Sequence, residues 1–177
     1  MSLTDAWKNR VARMMHWPFM KGLMAVGIRL FVPRQPVGVG LVLLDDDGRV
    51  LLLRHVFHPR FPWALPGGWL KRREAPQEAA LRELREETTL TAVLGPVLAI
   101  DDVRDPYHVG IIFLGYPQPG PITLSGEILE ADWFWPDDLP ELLPFHQRAI
   151  ETAVRHRQQL QLLSQQQTTK RETSALS

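Results

Sequence analysis

Residues 68–90 read GWLKRREAPQEAALRELREETTL, from Gly68 to Leu90, and this stretch decides the fold. Pro76 can open a helix, because the first turn leaves its missing N–H unused. No further glycine or proline interrupts the run to Thr88, so the spacing predicts a helix over 76–88. Ala75 before it is a weak cap, worth about 1 kcal/mol less than Ser or Asp. On this helix Glu83, Glu86 and Glu87 stand at i, i+3 and i+4 and share one face. Carboxylates crowded in this way repel one another, and Arg82 and Arg85 are too few and partly misdirected to neutralise them. A hard divalent cation is the natural partner: Mg2+ favours carboxylate oxygens, keeps several waters and bridges to phosphates. Ala80, Leu81, Leu84 and Thr88 supply the apolar side that seats the helix on a sheet. Taken alone, such a helix is more often the solvated acidic face of an ordinary protein. Its neighbours have to decide.

Outward from the helix lies Leu65-Pro66-Gly67-Gly68, preceded by an aromatic and proline-rich loop from His55 to Trp63. Val37 to Leu44 reads as a buried strand, and Asp45-Asp46-Asp47-Gly48 is a turn signal before the apolar strand Val50 to Leu53; together they predict a hairpin. Strands are expected over 92–103, 108–116 and 131–135, and a second long helix over 145–163. The Gln-, Thr- and Ser-rich tail, 164–177, has the composition of a disordered segment. Strands mixed with few helices predict an α/β fold with a mixed sheet packed between helices.

The chain has 177 residues, which suits one domain of 37–163 with appended sequence at both ends. Its formal net charge is +0, so no global field marks it as a nucleic-acid binder. Cysteine is absent, which excludes disulfides and thiol chemistry, leaves any metal to carboxylates, histidines and backbone oxygens, and agrees with a cytoplasmic location. Charge is unevenly placed. Residues 1–36 carry Lys8, Arg10, Arg13, Lys21, Arg29 and Arg34 against Asp5, among many aromatic and aliphatic side chains. The apolar run over 19–32 is too short for a bilayer span and contains Lys21 and Arg29. Two readings stay open for 1–32: a helix lying peripherally on a membrane surface, or one docked on the domain or on a second copy of the chain in a homodimer.

Gly68, Glu74, Arg82, Glu83, Leu84, Glu86, Glu87 and Leu90 fall in the spacing of the Nudix box, Gly-x5-Glu-x7-Arg-Glu-aliphatic-x-Glu-Glu-x-Gly-aliphatic. Six fixed residue types match, a coincidence on the order of 10⁻⁷ per window at typical residue usage. The chain thus resembles the Nudix hydrolases over roughly 37–163. It departs from the pattern twice. Thr89 stands where the family has a glycine that commonly takes positive φ, which a β-branched residue resists, so the helix end is expected to be built differently. Lys71-Arg72-Arg73 replaces a loop that is often acidic and glycine-containing; this triplet either approaches substrate phosphates or is merely solvated.

The resemblance implies the Nudix α/β/α sandwich and Mg2+-dependent hydrolysis of a nucleoside diphosphate linked to another group, with Mn2+ as a possible substitute ion. It makes Glu83 and Glu87 direct metal ligands, Glu86 a third, and the Gly67 carbonyl a further oxygen. Arg82 would orient the carboxylates and Glu74 anchor the loop to the helix. Relatives differ in their general base, and Glu127, ahead of Glu130, is the candidate on a later loop. For the nucleotide, Arg54, His58, Arg60 and Arg104 are candidate phosphate and base contacts, and Phe57, Phe61, Trp63 and Trp69 are stacking platforms or core residues. Pro106 and Tyr107 point to different subfamilies, so the substrate stays open among nucleotide sugars, ADP-ribose, dinucleoside polyphosphates and modified nucleotides. A Nudix-fold module that binds a nucleotide without cutting it is the alternative.

Overall fold

The computed structural model describes residues 18–31, 34–57, 60–104 and 107–175. His58 and Pro106 lie outside these described residues. The chain divides into two compact units, Met1–Gln35 and Pro36–Ser177. In the first, helix α1 (Pro18–Phe31) carries Leu23, Met24, Val26, Ile28, Leu30 and Phe31 as exposed side chains. Among the described residues, no helix is long and apolar enough to cross a membrane.

In the second unit the described residues form two sheets. The first places β1 (Val37–Leu43) between β4 (Gly67–Trp69), antiparallel to it, and β6 (Tyr107–Pro117), parallel to it; β5 (Ala92–Arg104) adds antiparallel to β6. The second is antiparallel, with β2 (Val50–His55) between β3 (Trp63–Ala64) and β7 (Ile128–Phe134). Because strand side chains alternate, β1 can be buried on both faces only if each face has its own cover. Leu41, Leu43 and Phe113 pack with Ala79, Ala80 and Leu84 of helix α2 (Pro76–Thr88). Val42, Ile112 and Leu114 pack with Phe145, Ala149, Ile150 and Ala153 of helix α3 (Pro144–Ala175). The layers are therefore helix, sheet and helix, as expected. Leu84 is fully buried, which stabilises the seating of α2 by about 2–3 kcal/mol.

The hairpin expected across Asp45–Gly48 is corrected. The turn exists: Asp45 Oδ1 accepts from the N–H groups of Gly48 at 2.8 Å and Arg49 at 2.7 Å, and Gly48 takes φ 96°. Beyond a single bridge between Leu44 and Val50, however, β1 and β2 part into different sheets. An Asp-Gly turn fixes a reversal of the chain, not the pairing of its flanks. Here both edges of β1 are taken by β4 and β6, and both edges of β2 by β3 and β7.

The second difference is at the C-terminus. Helix α3 runs through to Ala175, across the segment whose composition predicted disorder. No glycine or proline follows Pro144, and Gln, Leu, Arg and Lys are good helix formers. Residues 158–167 are exposed all round, so this extension rests on propensity rather than packing.

Candidate active site

The carboxylates are placed by two consecutive glycines. The ladder bonds of β1 to Pro66 and Leu70 leave the Gly67 N–H and carbonyl pointing away from β1. That N–H donates to Glu87 Oε2 at 2.9 Å. A Cβ at Gly67 would stand 2.2 Å from the Val39 carbonyl oxygen, so the strand can come this close only with glycine there. A Cβ at Gly68 would stand 2.5 Å from Glu83 Cδ: the Glu83 carboxylate lies over bare backbone. Strand β4 and helix α2 are thus locked to each other through two of the three glutamates.

Arg82 organises the rest. Its Nε and Nη2 donate to the two oxygens of Glu74 at 2.6 and 2.9 Å, a bidentate pair. Nη1 donates to Glu83 at 2.7 Å and Glu86 at 3.0 Å, and Nη2 also reaches the Trp69 carbonyl at 3.1 Å. Glu74 in turn accepts from the Lys71 N–H at 2.9 Å. Hydrogen bonding to Arg82, then to the Lys71 N–H, holds Glu74 down to about 2. From the basic triplet, Lys71 Nζ stands 3.4 Å from Glu86, and Arg73 takes φ 64° to turn the loop.

Glu87 is the exception among these carboxyls. Burial, and then the charges of Glu83, Glu127 and Glu86, push it up to about 8, opposed by the Gly67 N–H. A half-buried acid pushed up by desolvation and by the neighbouring carboxylates fits a cation site, and an all-oxygen donor set fits a hard divalent ion. Among the described residues, no three His, Asp or Glu side chains stand as a ready-made cage. Arg82 holds one oxygen of Glu83 and the Gly67 N–H one oxygen of Glu87, which orients these carboxylates and leaves the second oxygen of each for a cation.

The end of α2 corrects another expectation. Thr89 does take the left-handed conformation, φ 62° and ψ −4°, in place of a glycine. Its N–H bonds the Arg85 carbonyl at 2.9 Å, and its hydroxyl donates to the carbonyls of Thr88 at 2.6 Å and Pro121 at 3.1 Å. The last helix carbonyls then hold the following loop: Thr123 N–H donates to Thr88 at 3.0 Å and Ser125 N–H to Glu87 at 3.0 Å. This loop carries Glu127, whose backbone carbonyl accepts from the Val56 N–H at 3.0 Å. Glu127 is exposed, and its charge is felt at Glu87. Glu130, further along β7, instead pairs with Arg54 at 3.4 Å.

A cavity of about 690 Å³ lies along β4, bounded by Gly67, Gly68 and Trp69. Its floor includes Gly38, Gly40 and Gly110 of the sheet, and Phe145 and His146 stand at the start of α3. Trp69 meets His108 edge to face, with ring centroids 4.9 Å apart. Of the nucleotide contacts proposed from sequence, Arg60 and Arg104 line this cavity and Arg54 does not, lying on β2 beside Glu130. Phe57 and Phe61 line it too, whereas Trp63 packs edge to face on Phe134 at 4.9 Å as part of the core. The sequence reading missed His108, His146, Arg148 and the floor glycines. The alternation Gly38-Val39-Gly40 inside an apolar strand was the available signal, since strand glycines mark close approaches.

An α/β/α sandwich whose acidic helix is locked to a glycine-bearing strand places a carboxylate cluster beside room for a small molecule. The chain belongs to the Nudix family: the NUDIX domain profile matches residues 34–171. It is 29% identical over 118 residues to an ADP-ribose pyrophosphatase of Methanocaldococcus jannaschii, covering 64% of this chain and 70% of that protein. It is 32% identical over 125 residues to the human 8-oxo-dGDP phosphatase NUDT18, covering 67% of this chain and 38% of that protein. Among solved structures, a MutT NUDIX hydrolase from Burkholderia pseudomallei superposes with a TM-score of 0.61 at 27% identity, over 68% of this chain and 98% of that one. The chain is accordingly an enzyme that hydrolyses phosphoanhydride bonds, in a family that generally uses a divalent metal.

Proposed function

We propose that the enzyme cleaves the pyrophosphate bond of a nucleoside diphosphate linked to a further group, with Mg2+, or Mn2+ in its place, held by Glu83, Glu86, Glu87 and the Gly67 carbonyl. The observation that carries this reading is Glu87, half-buried, unneutralised by any arginine, and oriented by the N–H of Gly67. The Gly67 carbonyl leaves the strand in the same direction as that N–H, towards the carboxylates. When bound, the ion supplies charge neutralisation at phosphate oxygens and acidifies a water. Arg82 is a positioning residue, fixing Glu83 and Glu86 from one guanidinium while Glu74 fixes Arg82. Glu127 is the group best placed to accept a proton from the attacking water, since its loop hangs from the helix end and its charge reaches Glu87. The cavity takes the nucleoside, with Arg60 and Arg104 at its wall. The two relatives above are named for ADP-ribose and 8-oxo-dGDP, which share the nucleoside diphosphate unit.

A panel of nucleotide sugars, dinucleotides, ADP-ribose and oxidised nucleotides with Mg2+ or Mn2+ tests this. Glu87→Gln is expected to lower kcat/KM on the preferred substrate by about 100-fold or more, the scale of disturbed metal sites. Turnover by Glu86→Gln and Glu87→Gln at the wild-type rate sinks the site. Tight nucleotide binding with no turnover across the panel transfers the chain to the non-catalytic alternative.

We further propose that the N-terminal segment seats this cytoplasmic enzyme on anionic lipid. Its helix exposes six large apolar side chains, and residues 1–36 are strongly basic, with six Lys and Arg against Asp5, in a chain of zero formal net charge. Removing residues 1–32 is expected to abolish sedimentation with anionic vesicles. Unchanged sedimentation overturns this, and concentration-dependent dimerisation lost with the same deletion assigns the helix to a second copy.

A further inference from the structure

Four glycines meet on the cavity side of the four-stranded sheet, and three of them have a reason within the protein itself. Gly38 is cross-strand from Gly110, and Gly40 from Gly67. A Cβ at Gly38 would stand 2.9 Å from the His108 ring, one at Gly110 2.4 Å from Phe145 Cε1, and one at Gly67 2.2 Å from the Val39 carbonyl oxygen. Each of these positions is closed to a side chain. Gly40 is not. A Cβ there would meet the Pro66 carbonyl oxygen at 3.5 Å and Ile112 Cγ1 at 3.6 Å, ordinary contacts, and Gly40 is not among the residues with positive φ. A glycine in an interior strand costs stability relative to alanine through its freedom in the unfolded chain. At Gly40 nothing in the protein offsets that cost.

What the missing side chain does provide is bare backbone in the cavity. Gly40 lines it and lies on β1, whose edges are occupied by β4 and β6, so its peptide groups are already bonded within the sheet. A surface of this kind accepts the face of a flat ring at van der Waals distance, about 3.5 Å, without stranding a backbone donor or acceptor. Phe57, Phe61 and Trp69 supply aromatic surroundings for such a ring. Gly40 also pairs with Gly67, the residue that orients Glu87, so a ring seated here has its point of attachment next to the carboxylate edge. We propose that Gly40 is a specificity-determining residue, the seat of the nucleobase of a nucleoside diphosphate substrate. This rests on the hydrolase reading above and adds to it the residue on which the base is seated.

The test is a binding titration of ADP, GDP, CDP and UDP with Mg2+, which requires no turnover, alongside inorganic pyrophosphate as a base-free probe. Gly40→Val fills the seat and is expected to weaken the tightest nucleoside diphosphate about tenfold or more; Gly40→Ala, about threefold. Pyrophosphate binding should change by less than about twofold in both. Gly40→Ala should melt at or above the wild-type Tm, because the methyl meets no clash. The proposal is overturned if Gly40→Val binds nucleoside diphosphates as tightly as wild type, if pyrophosphate weakens equally, if wild type binds none of the four, or if Gly40→Ala melts below wild type. Intact, base-dependent binding with no hydrolysis of any substrate would instead remove the hydrolase reading and leave Gly40 in its role.

Discussion

The two faces of the four-stranded sheet are made from alternate residues of the same strands and have opposite characters. On the α2 face, Val39, Leu41, Leu43 and Phe113 seal against the helix, and the polar groups are pushed to its edge. On the α3 face, Val42, Ile112 and Leu114 are covered only over half the sheet; beyond them Gly38, Gly40 and Gly110 leave a cavity. The sealed face fixes chemistry, because one rigid helix sets Glu83, Glu86, Glu87 and Arg82 in mutual register. The open face fixes recognition, because its walls come from several separate segments that can differ while the helix stays the same. One strand, β1, serves both, and its odd and even residues divide the labour.

If the sealed face is a cation site, it should be strained when no cation is bound, and pH exposes that strain. Glu87 rises from the ordinary 4.5 to about 8 in the fold. A carboxyl raised on folding binds more protons in the native state, so the metal-free protein is favoured below about 4.5 and loses that advantage as pH climbs to about 8. At about 1.36 kcal/mol per pH unit for a full proton, the window amounts to several kcal/mol. Urea midpoints in chelator should fall over this range, and Mg2+ should restore more stability at pH 8 than at pH 5. A flat profile in chelator, or Glu87→Gln with the same slope as wild type, breaks the contrast between the faces.

Arg82 offers the next largest effect. Replacing it with alanine leaves Glu74, Glu83 and Glu86 without their shared donor and is expected to cost about 2–4 kcal/mol, since its side chain is only 19% exposed. Arg82→Lys should recover less than half, because one ammonium cannot reproduce the planar fork that serves Glu74 through two nitrogens. Chemical denaturation measures both. An Arg82→Ala variant as stable as wild type would mean that the network is only surface decoration.

The same contrast explains what could be read in advance. Helix α2 was legible to its end residues, and the glutamate register with it, because a single continuous segment carries Pro76, the 3.6-residue spacing and the box. The strands were legible as elements, but not the sheets they join: turn chemistry at Asp45–Gly48 reports a reversal, whereas pairing depends on which other segments reach each strand's edges. The cavity was the least legible. Gly40, His108 and Phe145 are far apart in sequence, and only the parallel register of β1 with β6 and the docking of α3 bring them together. Arg54 and Arg60 look equivalent in the sequence; facing Glu130 in one case and the cavity in the other is a matter of which sheet and loop they fall on.

The smallest predicted effect separates strain from chemistry at the end of α2. Thr89 and Arg73 are the two non-glycine residues with positive φ among those described, and both lie inside the box. The left-handed conformation costs Thr89 about 1–2 kcal/mol relative to glycine. Against this, its hydroxyl binds the Pro121 carbonyl and accepts from the Thr123 N–H at 3.2 Å, exposed bonds whose loss water largely makes good. Conformational cost therefore outweighs the bonds, and Thr89→Gly should stabilise the protein by about 1 kcal/mol. Thr89→Val keeps the strain and loses the bonds, and should destabilise it by about 0.5 kcal/mol. Since those bonds tether the loop bearing Glu127, the glycine variant should also lose a few-fold in kcat, on the scale of about 1 kcal/mol. A glycine variant that is less stable than wild type would show that the tether, not the backbone conformation, dominates at this helix end.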